Sequence, residues 1–180
     1  SFEMIVVSPY PLPKLLKDNL NVRWFQDWGT PIRAQQLGLI ECKGDYISWA
    51  ADDGYYYPKS LDLAFEKLKD KDYKSLVVGK YYEGSENPFM NSIKYYYINT
   101  HNGSRSPFID NECLMIMVGV VSKKLLLEVG GWDCQFEVCP MAYNDLSVRL
   151  FNYKADFIFQ EDIMFRCSHM PGHLGDHGPI

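Results

Sequence analysis

The chain has no dense basic run, no apolar stretch of membrane-spanning length and no second close pair of cysteines to complete a zinc site. Each absence excludes something. Lysine and arginine total 18 against 23 acids, for a net charge of −5. Phosphate backbones are held by clustered basic side chains, so a nucleic-acid partner is not expected. A single nucleotide remains possible where a divalent cation screens its phosphates. The longest strongly apolar run, Leu114 to Val121, falls far short of the roughly 20 residues a transmembrane helix needs. Cysteines number five, Cys42, Cys113, Cys134, Cys139 and Cys167. An odd, scattered set suits packed free thiols in a reducing compartment, and a cytoplasmic location is expected.

What is present is an ordinary globular balance. Of 180 residues, 47% are hydrophobic and 23% charged, which suits one domain over residues 1–180 with a core of its own. No charged-then-apolar signal segment opens the chain. The start, SFEMIVVSP, reads as a strand already in progress. A segment of a longer polypeptide, or a chain lacking its first element, is therefore expected.

Apolar periodicity predicts strands at Phe2 to Val7, Asn21 to Phe25, Tyr46 to Ala51 and Ser75 to Tyr82. It also predicts a strand or strand-to-helix junction at Leu114 to Val121, and closing strands at Phe157 to Phe159 and Ile163 to Cys167. A helix opens at Gly29-Thr30-Pro31, with Thr30 as cap and Ile32, Leu37 and Ile40 as its apolar face. A second runs from Pro58 to Leu68 on a stripe of Leu61, Ala64, Phe65 and Leu68. Ser122 caps a third, which Gly130-Gly131 stops, and a fourth covers Ala142 to Phe151. Alternating strands and helices predict an α/β domain with a mainly parallel sheet.

The sharpest chemical feature is Trp49-Ala50-Ala51-Asp52-Asp53-Gly54. Two carboxylates stand where an apolar strand ends, and open α/β sheets bind ligands outside the carboxyl ends of their strands. Such a pair suits Mg²⁺ or Mn²⁺ bridging to phosphate oxygens. The plain alternative is an Asx turn or helix cap ahead of Pro58.

The segment KGDYISWAADDGYYYPKSL resembles glycosyltransferase family 2, in which a similar strand leads to an Asp-x-Asp or Ser/Thr-Asp-Asp motif. The resemblance implies a GT-A fold, a Rossmann-like three-layer α/β sandwich with a mainly parallel central sheet. It implies transfer of a sugar from a nucleoside-diphosphate sugar to an acceptor hydroxyl, with inversion and a divalent cation. On that register Asp53 is the metal ligand and Asp52 lies near the donor's ribose or sugar. Ala51 departs from the stricter motif. Gly29 to Gln35 with Gly38 resembles the family's G-x-x-x-A-R-N-x-G helix, and Arg33 becomes a candidate for the diphosphate. An exposed helix arginine is the alternative.

A second match joins Gly130-Gly131-Trp132-Asp133 to Asn144-Asp145-Leu146-Ser147-Val148-Arg149-Leu150. It resembles the family's GG-aromatic-D turn and D-x-x-x-R-L helix, and it implies that Asp145 is the catalytic base. Ala142 and Tyr143 replace the family's usual Glu-Asp. Alternatively, Asp145 is a helix-start acid paired with Arg149 four residues on. Glu3 to Pro9 resembles the family's second strand and its nucleotide-binding loop, with Ser8-Pro9 in place of the base-binding acid. The family's first, central strand has no counterpart. In the tail, His169 best fits the histidine that completes the metal site in similar enzymes, with His177 as second choice. Tyr55-Tyr56-Tyr57 and Tyr95-Tyr96-Tyr97 offer an acceptor platform or simple packing. The rival functions are a non-catalytic glycan- or protein-binding module and a nucleotidyltransferase.

Overall fold

The computed structural model describes residues 1–50, 53–83, 92–94, 97–98, 113–114, 116–137 and 139–167. Strands β1 (Met4–Ser8) and β2 (Val22–Gln26) flank the short helix α1 (Lys14–Lys17). They pair in parallel, Val6 opposite Trp24, as a two-stranded ribbon of their own. Helix α2 (Pro31–Glu41) follows. Thr30 Oγ1 accepts from the Arg33 N–H, and Pro31 takes the first turn, where a backbone donor would be orphaned. Its buried residues are Ile32 and Leu39. Ile40, expected on that face, is 57% exposed. Ile32 and Leu39 lie two turns apart on one line, whereas Ile40 is rotated about 100° from it.

The second sheet draws on β3 (Tyr46–Ile47), β4 (Gly54–Tyr56), β5 (Ser75–Glu83), β6 (Ser92–Lys94), β9 (Gly119–Ser122) and β10 (Asp156–Cys167). A separate pair joins β7 (Tyr97–Ile98) to β8 (Cys113–Leu114). The main order is β3-β9-β5-β10-β4, with β6 also on β5. Among the described residues, β5 and β10 are the one parallel pair within it; the other pairings are antiparallel. The mainly parallel sheet expected from the sequence is therefore corrected to a mixed one. Helix-strand alternation imposes parallel neighbours only where each helix crosses between adjacent strands. Here β9 returns antiparallel between β3 and β5, and the three-residue β4 runs back along the end of β10.

Helices cover both faces. Alternation along β5 sends Leu76 and Val78 to one side and Val77 to the other. The first side packs against α2, α4 (Lys123–Glu128) and α5 (Cys139–Asn152) through Ile32, Leu125, Leu126, Leu146 and Leu150. The second packs against α3 (Ser60–Leu68) through Ala64 and Leu68. Each fully buried leucine contributes about 1.5–3 kcal/mol. Leu61 and Phe65, assigned to the α3 stripe, are 39% and 45% exposed, and Ser60 is buried with Ala64 and Leu68 instead. The two closing strands are one, β10, with register shifts between Phe159 and Ile163 and again before Phe165. No described helix is long and apolar enough to cross a membrane.

Candidate active site

The chain leaves β3 at Ile47 and folds into a bend that closes on itself. Ser48 Oγ donates to the Gly119 carbonyl at 2.7 Å. The Tyr56 hydroxyl lies 2.7 Å from Ser48 Oγ and donates to the Trp49 carbonyl at 2.9 Å. Burial pushes the Tyr56 phenol up to about 12, so it stays a donor at neutral pH. Gly54 sits opposite Cys167 in the β4–β10 ladder, and a Cβ there would overlap the Arg166 carbonyl and the Phe165 ring. Only glycine lets β4 approach so closely. Asp53 is thereby placed beside the end of β10. Its Oδ2 accepts from the Cys167 thiol at 3.0 Å, and its Oδ1 is buried with no partner.

The glycine turn docks onto the same region. Gly131 adopts φ +66°, and a Cβ there would overlap Gln36 and Leu39 of α2. The Trp132 N–H donates to Gln36 Oε1 at 2.8 Å, and the Trp132 ring meets Trp49 edge-on at 5.3 Å. The WAADDG and GGWD motifs are thus in direct contact, although they lie far apart in sequence. Tyr143 of α5 is buried, and its hydroxyl accepts from Gln35 Nε2 at 2.6 Å.

Asp145 lies on α5 with its Oδ2 bound by Arg149 Nε at 2.8 Å and Nη2 at 2.6 Å. Arg149 Nη1 also donates to the Val129 carbonyl, so the pair ties α5 to the glycine turn. Ser8 and Arg33 meet one small network at the carboxyl end of the ribbon. The Ser8 carbonyl accepts from the Asp27 N–H, and Arg33 Nη2 pairs with Asp27 Oδ1 at 3.0 Å. The Ser8 hydroxyl accepts from the Tyr10 N–H. The Arg33 side chain is 63% exposed. Asp52, His169 and His177 lie outside the described residues, as do Tyr95 and Tyr96.

Sequence reasoning did not single out Trp49, Trp132, Gln35, Asn144 or Cys167 as site residues. The structure singles out the first four through unmade hydrogen bonds, and Cys167 through its hydrogen bond to Asp53. Among the described residues, the buried side-chain atoms without a partner are Gln35 Oε1, Trp49 Nε1, Asp53 Oδ1, Trp132 Nε1, Asn144 Oδ1 and Gln160 Oε1. All but Gln160 belong to the segments in which the motifs were recognised. Each such atom costs about 1–3 kcal/mol unless something pairs with it. The available signal was tryptophan inside otherwise polar motifs.

A divalent cation would fit Asp53 in part. An unpartnered buried carboxylate oxygen is a suitable hard donor, yet no cluster of three or more His, Cys, Asp or Glu exists among the described residues. Phosphate oxygens and water would have to supply the remaining ligands, as is usual for Mg²⁺.

No protein-family model and no curated protein sequence matches the chain. Solved structures do match its fold. A crystal structure of GalNAc-T7 with UDP, GalNAc and Mn²⁺ aligns over 93% of this chain and 37% of that one, at 11% identity and a TM-score of 0.63. A structure of S. aureus TarS residues 1–349 aligns over 93% of this chain and 51% of its own, at 12% identity and 0.64. A further S. aureus TarS structure aligns over 94% of this chain and 31% of its own, at 12% identity and 0.66. The chain therefore spans about a third to a half of the structures it matches. These neighbours are GT-A transferases, and the fold of this chain is of that type.

Proposed function

We propose that this domain transfers a sugar from a nucleoside-diphosphate sugar to an acceptor hydroxyl, with inversion, in a reducing cytoplasmic setting. The observation that carries it is that the WAADDG and GGWD motifs meet through Trp49 and Trp132, while the segments in which the motifs were recognised carry buried polar atoms without a partner. These atoms include the indole N–H donors of Trp49 and Trp132 and the acceptor oxygens of Gln35, Asp53 and Asn144. A sugar hydroxyl both donates and accepts, so a polyhydroxylated ligand answers both kinds of group at once. The GT-A-type fold supports the same assignment.

In this scheme Ser8 lies by the nucleotide base, Arg33 by the diphosphate and Asp52 by the ribose or sugar. Asp53 and His169 hold Mn²⁺ or Mg²⁺. When bound, the cation would offset the negative charge that develops on the leaving nucleotide. Asp145 takes the proton from the acceptor hydroxyl as that oxygen attacks the anomeric carbon. With Oδ2 committed to Arg149, Oδ1 is the oxygen that receives it. Arg33 must exchange Asp27 for phosphate, and its exposure permits this.

The test is nucleoside-diphosphate release from a panel of nucleotide sugars with Mn²⁺. Release that is lost in Asp53→Ala supports the assignment; no release with any donor overturns it. One observation favours a second possibility, a non-catalytic glycan-binding module. The Asp145 carboxylate is held doubly by Arg149, as a purely structural acid would be. Glycan binding without release would establish that module.

A further inference from the structure

We propose that Tyr55, Tyr57 and Tyr82, with Arg166 among them, form an aromatic platform that binds the acceptor as a neutral oligosaccharide. The proposal deepens the transferase assignment by naming the acceptor's class, and it rests on that assignment only for the word acceptor.

The platform follows from strand register. Alternation along β4 turns Tyr56 inward, where its ring meets Phe165 edge-on at 5.1 Å, and turns Tyr55 and Tyr57 outward. The Tyr55 and Tyr57 ring centres lie 5.7 Å apart. Arg166 of β10 stands opposite Tyr55, and Tyr82 of β5 stands beside Arg166 in the parallel ladder. Residues in register share a face, so these side chains make one row across three strands. The Arg166 guanidinium lies over the Tyr82 ring at 5.3 Å and joins the rings on either side of it. Two strand spacings, about 10 Å, separate Tyr55 from Tyr82. The row is therefore longer than one sugar ring.

Its position is that of a substrate site. Along β5, Val77 and Tyr81 face α3, so Tyr82 faces the other side with Leu76 and Val78. Trp49 and Trp132 belong to the cluster on that other side. The row lies at the carboxyl ends of the parallel strands β5 and β10, where α/β sheets bind ligands. It also continues from the candidate site, since Tyr55 follows Asp53 by two residues. The plain alternative is packing, which Tyr56 performs. Among the described residues, Tyr55, Tyr57 and Tyr82 belong to neither apolar cluster, and Tyr55 is 49% exposed. A tyrosine offers an apolar ring face and a polar tip. A sugar offers C–H faces and hydroxyls, and so meets both. A single nucleobase would stack on one ring and leave the rest of the row uncovered.

The experiment is calorimetry of the whole protein, without donor, against neutral hexasaccharides of glucose, N-acetylglucosamine, mannose and xylose. At least one should bind. Tyr55→Ala and Tyr82→Ala should each weaken it by about tenfold, while Tyr55→Phe keeps it within about threefold. Circular dichroism checks that each variant folds. Saturation-transfer NMR on the wild type, with the aromatic protons irradiated, should mark the sugar's ring C–H protons and needs no variant. Binding that is unchanged in both alanine variants overturns the platform. No binding to any of the four overturns it as well, and nucleoside-diphosphate release then leaves the transferase assignment standing with an acceptor of another class. UDP that displaces the bound oligosaccharide gives the row to a nucleobase and also overturns it. Oligosaccharide binding of the expected pattern in a protein that releases no nucleoside diphosphate upholds the platform and removes only the transfer.

Discussion

The two acids that carry the family resemblance sit in opposite settings. Asp145 is answered within the fold: Arg149 grips one oxygen twice and then reaches the Val129 carbonyl. Asp53 is not answered in the same way: a thiol reaches one oxygen, and among the described residues nothing reaches the other. The same residue type, at the two ends of one contacting pair of motifs, is thus satisfied in one place and left open in the other. A buried carboxylate oxygen left open costs stability unless a ligand repays it, which is why Asp53 is the acid proposed to hold one.

The largest expected effect breaks the comparison on activity. Asp53→Asn and Asp145→Asn should each lower sugar transfer by about a hundredfold or more. They should differ in donor binding, which calorimetry with Mn²⁺ resolves: Asp53→Asn weakens it and Asp145→Asn leaves it. Full transfer by Asp145→Asn would reduce that acid to a strut.

Next comes the turn beside Asp145. Gly131→Ala forces a side chain into a left-handed conformation and against Gln36, and urea unfolding should show a loss of about 1–3 kcal/mol. An unchanged midpoint would show that the turn tolerates rearrangement.

The bend beside Asp53 is sharpened by pH. The Tyr56 phenol is raised by burial to about 12, whereas the unfolded phenol titrates near its ordinary value of 10.0. Between those values the folded state holds more protons, so stability falls as pH rises through that window. Wild type should lose on the order of 2 kcal/mol across it relative to Tyr56→Phe, measured by chemical unfolding at several pH values. Parallel profiles would show that Tyr56 is not buried as described.

The smallest effect contrasts the acids as structural groups. Asp145→Asn should cost at most about 1 kcal/mol, because the ion pair is partly exposed and screened by water. Asp53→Asn should cost nothing or raise the melting temperature, since it removes a partly buried charge whose Oδ1 is unpaired. A marked loss in Asp53→Asn would show that this acid is structural after all.

Local chemistry was legible in the chain. Thr30 and Ser122 cap their helices as expected, because a cap reaches only three residues ahead. Gly130 and Gly131 take positive φ where they stop α4, a demand that glycine alone meets easily. The Asp145–Arg149 pair follows from helical spacing. The three-residue β4 was not legible, since its pairing depends on the distant end of β10. Nor was the unity of β10, where a bulge around residues 160–162 breaks the alternation that marks a strand.

The sequence by itself determined the residues that bend, cap and carry charge, because those preferences act over one turn of chain. It also determined an α/β alternation and the two motifs that resemble a sugar transferase. Only the tertiary structure decided that the sheet is mixed, that Trp49 meets Trp132, and that Cys167 lies against Asp53 across 114 positions. Those outcomes depend on which strands become neighbours. Strand order is set by packing the whole core at once, and no local window of sequence contains it.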